Sequence, residues 1–203
     1  GLPKEKTENY ELLAQGEYNI NYAFTHSVTG KKLLLRVNCG SQMHLEHQIE
    51  YEAHALRLME GSGRTPKVLY VDGSKKILEH GVLVMEYLPG HAMDYHTELM
   101  LAAPCLADIH SVPIPESEEI LIHPQNPLKA ILEECEEMFK VYLESPLGDG
   151  EKKTYIRELL DLGWKREAEI QLESGYQCCI NTELNSTNLL INGEEKSNYL
   201  IDW

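Results

Sequence analysis

The hydrophobic period of this chain changes part-way along it, and that change limits the folds open to it. Asn19–Thr25 sets Ile20, Tyr22 and Phe24 in alternation with Asn19, Asn21 and Ala23, the period-two signature of a strand. Tyr10–Ala14 and Lys32–Val37 flank it across turns at Gln15-Gly16-Glu17 and Thr29-Gly30-Lys31, which predicts an antiparallel meander. Between Leu45 and Met59 the period becomes helical, with Leu45, Ile49, Ala53, Leu56 and Met59 on one stripe and Gly61-Ser62-Gly63 as the stop. Lys67–Val71 and Val82–Tyr87 predict two further strands, and Pro89-Gly90 breaks the chain. Beyond that break the pattern is mostly helical, at Thr97–His110, Pro127–Leu143 and Thr154–Glu173. Two short strands, Leu189–Asn192 and Tyr199–Ile201, follow around a turn at Gly193-Glu194-Glu195. Strands first and helices later predict an α+β fold in two lobes, residues 1–88 and 89–203, with a cleft between them as the natural place for a site.

Composition narrows the functions. The formal net charge is −15 and the pI about 5.0. Such a chain repels nucleic-acid phosphates and attracts cations, although solubility alone also accounts for the charge. No apolar run approaches the ~20 residues that span a bilayer, and no signal peptide is visible. The first residue is Gly1 rather than Met, which suggests a trimmed or engineered terminus. The five cysteines, Cys39, Cys105, Cys135, Cys178 and Cys179, form no CxxC pair and fit a reducing, cytoplasmic setting. Cys178 and Cys179 are expected to pack as small apolar residues in a strand. His44, His47 and His54 share one predicted helix and are expected on its surface, since a metal site needs more partners. The run Glu133-Glu134-Cys135-Glu136-Glu137 reads as a solvated helix face, with a cation-attracting rim as the alternative.

Four constellations carry possible chemistry. Gly16-Glu17-Tyr18-Asn19 lies between two strands, where a glycine lets backbone approach a phosphate, though on these residues alone an ordinary hairpin turn is the better reading. Neither GxxxxGK[ST] nor GxGxxG is present. Arg36, near the end of an apolar strand, and Glu52, on the helix, are either a phosphate-holding cation with its carboxylate partner or a structural ion pair. Leu83–Gly90 is a strand running into a break, and its backbone either meets an adenine edge or is plainly buried. The last group is the most specific. Glu183 and Asn188 lie five residues apart on a polar loop, and Asp202 follows 14 residues later at a strand end. Hard oxygen ligands so placed suit Mg²⁺, and Glu183 is then available to orient an attacking hydroxyl.

Taken in order, these residues resemble the aminoglycoside phosphotransferase and choline kinase superfamily, which shares the protein-kinase fold. Gly16, Asn19 and Tyr22 resemble its GxxNxxY phosphate loop. Arg36 is similar to its strand-three cation, and Glu52 to the helix partner. Met85-Glu86-Tyr87-Leu88-Pro89-Gly90 resembles the hinge, which implies adenine bonds to the backbone of Glu86 and Leu88. Leu106-Ala107-Asp108-Ile109-His110 resembles a core helix in which His110 is structural. Asn181–Asn188 is similar to the HGDxxxxN catalytic loop and Ile201-Asp202-Trp203 to the IDW metal motif, which implies ATP and Mg²⁺, with Asn188 and Asp202 on the metal and Glu183 catalytic. The resemblance implies a bilobal kinase-like fold, with a five-stranded antiparallel first lobe and a helical second lobe that is incomplete here.

Three departures stand out. Asn181 replaces the loop histidine; it keeps some hydrogen bonding but cannot copy an imidazole. Glu183 replaces aspartate and keeps the charge on a longer arm. The family continues with further helices after the metal aspartate, so this chain is expected to be a fragment whose second lobe is partly uncovered. The resemblance implies phosphoryl transfer from ATP to a hydroxyl of a small molecule, with a cation such as choline or an aminoglycoside as a candidate acceptor. A weak or inactive nucleotide-binding module is the alternative. Protein phosphorylation is disfavoured by the missing GxGxxG and HRD motifs. Neither nucleic acid nor membrane is expected as a partner, and the oligomeric state stays open.

Overall fold

The computed structural model describes Lys6 and residues 9–40, 45–170, 177–193 and 197–203. His44, Glu194, Glu195 and the predicted helix end at 171–173 lie outside the described residues. The chain forms two compact units, one of Gly1–Leu121 with Gln177–Trp203 and one of Ile122–Tyr176.

The first unit carries a five-stranded antiparallel sheet, as the α+β reading expects. Its strands are β1 (Tyr10–Gln15), β2 (Asn19–Thr25), β3 (Lys32–Asn38), β4 (Val68–Asp72) and β5 (Gly81–Glu86), in the order β1-β2-β3-β5-β4. The helix α1 (Gln48–Met59) covers one face. Period-two alternation sorts β3: Leu34 packs towards α1 with Leu83 and Met85, whereas Leu33 and Leu35 join Phe24 and Val84 on the other face. Ile49, Ala53 and Leu56 of α1 close the inner core. Burying a leucine, isoleucine or methionine of this core fully contributes about 1.5–3 kcal/mol.

A second cluster lies beneath α2 (Leu99–His110), where Met59, Met93, Cys105, Ile109, Leu189, Ile191 and Leu200 meet. Trp203 packs against both clusters and so joins the end of the chain to each. The strands β7 (Leu189–Asn192) and β8 (Ser197–Leu200) form the predicted hairpin. A two-residue strand absent from the sequence reading, β6 (His91–Ala92), pairs with β7 and completes a three-stranded sheet. Gly90 makes this possible: its φ is 152°, and a Cβ there would stand 2.6 Å from the Ile191 carbonyl oxygen.

The second unit is a helical pair, α3 (Pro127–Glu144) and α4 (Gly150–Glu169). Asn126 and Asp149 cap them, each side chain accepting a backbone N–H three residues on at 3.0 Å. The Asp149 cap starts α4 at Gly150, four residues before the predicted Thr154. Similarly α1 starts at Gln48 rather than Leu45, because His47 has non-helical backbone angles. Leu99 rather than Thr97 starts α2, since Glu98 is held in a turn by its amide bond to the Asp94 carbonyl. Within the acidic run of α3, Glu136 departs from the solvated-face reading. It receives both terminal nitrogens of Arg157, at 2.7 and 2.5 Å, and the Trp164 indole N–H at 2.9 Å. These bonds hold its carboxyl down at about 2. Cys178 and Cys179 are not in a strand; Cys179 instead packs against the cluster beneath α2, where burial raises its thiol to about 11.

Candidate active site

Arg36 is the centre of the site. It points to the α1 side of the sheet, from the third strand, with β2 and β5 on either side. Glu52 occupies the stripe of α1 that otherwise buries Ile49, Ala53, Leu56 and Met59. An arginine and a glutamate set among apolar side chains are stable there only if paired. The Arg36 Nη1 donates to Glu52 Oε1 and also to Asp202 Oδ1, the latter at 2.6 Å, while its Nε donates to Asn21 Oδ1 at 3.0 Å. Burial opposes the guanidinium charge, but Glu52 and Asp202 outweigh it and hold Arg36 protonated. Burial pushes the Glu52 carboxyl up to about 7, with Arg36 opposing that rise and Asp202 adding to it. Asp202 is different: its side chain is 39% exposed, so a carboxylate edge is open to solvent at the end of the hairpin.

The 181–188 loop folds back on the backbone of Asp202. Asn181 Nδ2 donates to the Asp202 carbonyl, and Asn181 Oδ1 accepts the Glu183 backbone N–H at 2.9 Å. One short amide therefore links the acidic residue of the loop to the backbone of Asp202. Asn188 Nδ2 donates to the Glu183 carbonyl at 2.9 Å, and the Ile201 amide donates to the Asn188 carbonyl at 3.0 Å. With the Asn188 nitrogen so engaged, its side-chain oxygen, which accepts from the Thr187 hydroxyl at 3.4 Å, is the atom able to ligate a cation. An amide oxygen and a carboxylate oxygen are the donor types that Mg²⁺ takes, so the residues present fit that ion. Among the described residues no group of three His, Cys, Asp or Glu gathers around a common point. His54, expected at the surface, is instead partly buried and bonded through Nε2 to Glu118 Oε2 at 2.7 Å.

The remaining predicted residues occupy the sheet edge and its exit. Gly16 turns the chain between β1 and β2, its amide donating to the Asn19 carbonyl at 2.9 Å. The Asn19 side chain accepts from Asn38 Nδ2 at 3.0 Å, across the β2–β3 ladder. Glu86 ends β5, its amide donating to the Lys67 carbonyl at 2.9 Å and its backbone paired in register with Leu33. Leu88 follows in non-regular backbone, half-buried. Sequence reasoning missed Asn21, which sets the Arg36 fork, and the segment Met93–Tyr95, which bonds the 181–188 loop. An Asn on the strand beside the arginine was the available signal for the first; nothing local announces the second. Among the described residues, a cavity of about 160 Å³ lies along β4 and β5 at Tyr70, Ile77 and Val82, and another lies between α3 and α4.

With this arrangement established, comparison gives the class. The family model described as "Phosphotransferase enzyme family" matches residues 9–203, and the chain belongs to that family. A search of curated proteins finds no match. Among solved structures, an ethanolamine kinase of Plasmodium vivax is similar, with a TM-score of 0.71 at 15% identity over 99% of this chain and 57% of that one. A choline kinase from Cryptosporidium parvum Iowa II is similar with a TM-score of 0.68 at 14% identity, over 97% of this chain and 58% of that one. At these identities the likeness establishes the kinase-like fold. The chain spans 57–58% of the length of these solved structures.

Proposed function

We propose that this chain is the nucleotide-holding part of an ATP-dependent kinase that phosphorylates a hydroxyl of a small molecule, with lobes at residues 1–88 and 89–203. The observation that carries the reading is the bracketing of Arg36 by Glu52 and Asp202, with the 181–188 loop bonded to the same Asp202. In this reading Arg36 grips the nucleotide phosphates bidentately and Glu52 keeps it oriented. The Gly16–Asn19 turn covers the phosphates, and the backbone of Glu86 and Leu88 meets the adenine. Asn188 and Asp202 would hold Mg²⁺, which when bound neutralises charge on the transferring phosphate.

Glu183 takes the place of the loop aspartate. The acceptor hydroxyl oxygen forms its bond to the γ-phosphorus as the bond to the β–γ bridging oxygen breaks, ADP leaves, and the hydroxyl proton passes to the Glu183 carboxylate. Phosphoryl transfer depends mainly on positioning and electrostatics, so the longer arm of glutamate is compatible with turnover. The net charge of −15 favours a cationic acceptor, such as an amino alcohol or an aminoglycoside, in a cytoplasmic setting. Among the described residues no helix is long and apolar enough to cross a membrane.

ATP turnover with Mg²⁺ against a panel of amino alcohols and aminoglycosides tests the reading, with Asp202→Asn as the control that should abolish it. Unchanged turnover in Asp202→Asn removes that residue from the mechanism. Asn181 and Glu183 favour a second reading, a nucleotide-binding module with little catalysis. Magnesium-dependent ATP binding without turnover on any acceptor would select it.

A further inference from the structure

The 181–188 loop is bonded largely to itself and to Asp202. Asn185 Oδ1 accepts from the amides of Thr187 and Asn188, and Asn188 and Asn181 close the two ends. These bonds shape the loop, and its two ends are tied to the end of the β7–β8 hairpin through the Asp202 carbonyl and the Ile201 amide. Its middle is held from Met93–Tyr95. The Met93 amide donates to the carbonyls of Ser186, at 3.1 Å, and Leu189, at 3.0 Å. Tyr95 Oη accepts the Ser186 amide at 2.9 Å, so both backbone groups of Ser186 are held by one short segment. That segment is itself fixed. Met93 is buried among Leu189, Ile191 and Leu200, and β6 pairs with β7. Glu98 closes the turn after it, accepting the Asp94 amide at 2.9 Å and bonding His91 at 3.0 Å.

We propose that Tyr95 is a positioning residue for phosphoryl transfer, setting through its hydroxyl the place of the loop that carries Glu183 and Asn188. It touches no reacting atom in this arrangement; it acts through Ser186, two residues from Asn188 and three from Glu183. The inference rests on the kinase reading for its catalytic part, while the hold on the loop stands on geometry alone. Misplacement of a catalytic group by ~1 Å costs up to about 10²-fold in rate, and loss of one such bond is expected to cost less, about tenfold in kcat.

The test compares the full chain with Tyr95→Phe, which keeps the ring, and Tyr95→Leu, which does not. Tyr95→Phe is expected to exchange the Ser186 amide about tenfold faster with solvent deuterium. It is also expected to lower kcat about tenfold with little change in the KM for ATP or in the melting temperature. Unchanged exchange at Ser186 overturns the proposal. Faster exchange with unchanged kcat in an active enzyme overturns the positioning role. If the unsubstituted chain turns over no acceptor, the kinase reading fails by itself, and faster exchange still supports the hold of Tyr95 on the loop.

Discussion

Arg36 and Asp202 stand 166 positions apart in the chain and 2.6 Å apart in space. Their ion pair links the third strand of the five-stranded sheet to the end of the β7–β8 hairpin. Glu52 closes the triad from α1, and Asn181 attaches the 181–188 loop to the same end through the Asp202 carbonyl. A cation shared between a buried carboxylate and a half-open one can exchange the second for another anion without leaving the first. A nucleotide phosphate is the anion suggested for that exchange.

Arg36 is buried with Glu52, so its removal leaves a carboxylate without its cation. Arg36→Met is expected to lower the unfolding free energy by about 3–5 kcal/mol near pH 8, read by urea denaturation. Arg36→Lys should lose less stability, but it gives up the fork that holds Asn21 and Asp202 together, and with it affinity for ATP.

Asn181 donates with one side-chain atom and accepts with the other. Asn181→Asp retains an acceptor for the Glu183 amide but sets a carboxylate oxygen against the Asp202 carbonyl. Turnover in Asn181→Asp should therefore fall by 10-fold or more, below that of Asn181→Ala, which removes both bonds without adding repulsion. Steady-state kinetics with saturating Mg²⁺ and ATP separates the two.

Gly90 has φ 152°, and a Cβ there would lie 2.6 Å from the Ile191 carbonyl oxygen and 2.9 Å from Leu190 Cδ2. Gly90→Ala is expected to destabilise the chain by about 1–3 kcal/mol. Because β6 is the strand displaced, amide exchange at His91 and Ala92 should rise before that of β5.

Glu118 has its carboxyl held below the usual range. Burial opposes this, but the Leu121 amide and His54 outweigh it. A depressed carboxyl contributes stability above its unfolded pKa, and that contribution is lost as pH falls through the folded value. Melting of the chain and of Glu118→Gln should therefore differ at pH 7 and converge in acid; a constant difference would contradict the assignment.

Glu136 in α3 meets Arg157 and Trp164 in α4, with its carboxyl held down at about 2. By the same sign argument its stabilising contribution is full above the ordinary glutamate range and is lost progressively as pH falls from there through about 2. A double-mutant cycle of Glu136→Gln and Arg157→Gln, followed by thermal melting, should show clear non-additivity. Additive losses would mean that the two side chains act independently.

Element type and order were readable in the chain itself because they rest on local patterns. Alternation in Asn19–Thr25, the stripe from Ile49 to Met59 and the break at Pro89-Gly90 involve neighbours a few residues apart, and steric and solvation preferences act at that range. Likewise Arg36, Glu52, Asn188 and Asp202 were candidates from residue type and order, since a charge on an apolar stripe calls for a partner. The identity of the partners was decided by tertiary packing. One guanidinium shared by two carboxylates, the Asn21 bond, the His54–Glu118 pair and the hold of Tyr95 on Ser186 join positions 15 to 166 residues apart. Local preference carries no information at those separations. The strand β6 shows the same limit: two residues have no period to read, and His91–Ala92 becomes a strand only because β7 supplies the hydrogen-bonding edge and Gly90 lets it approach.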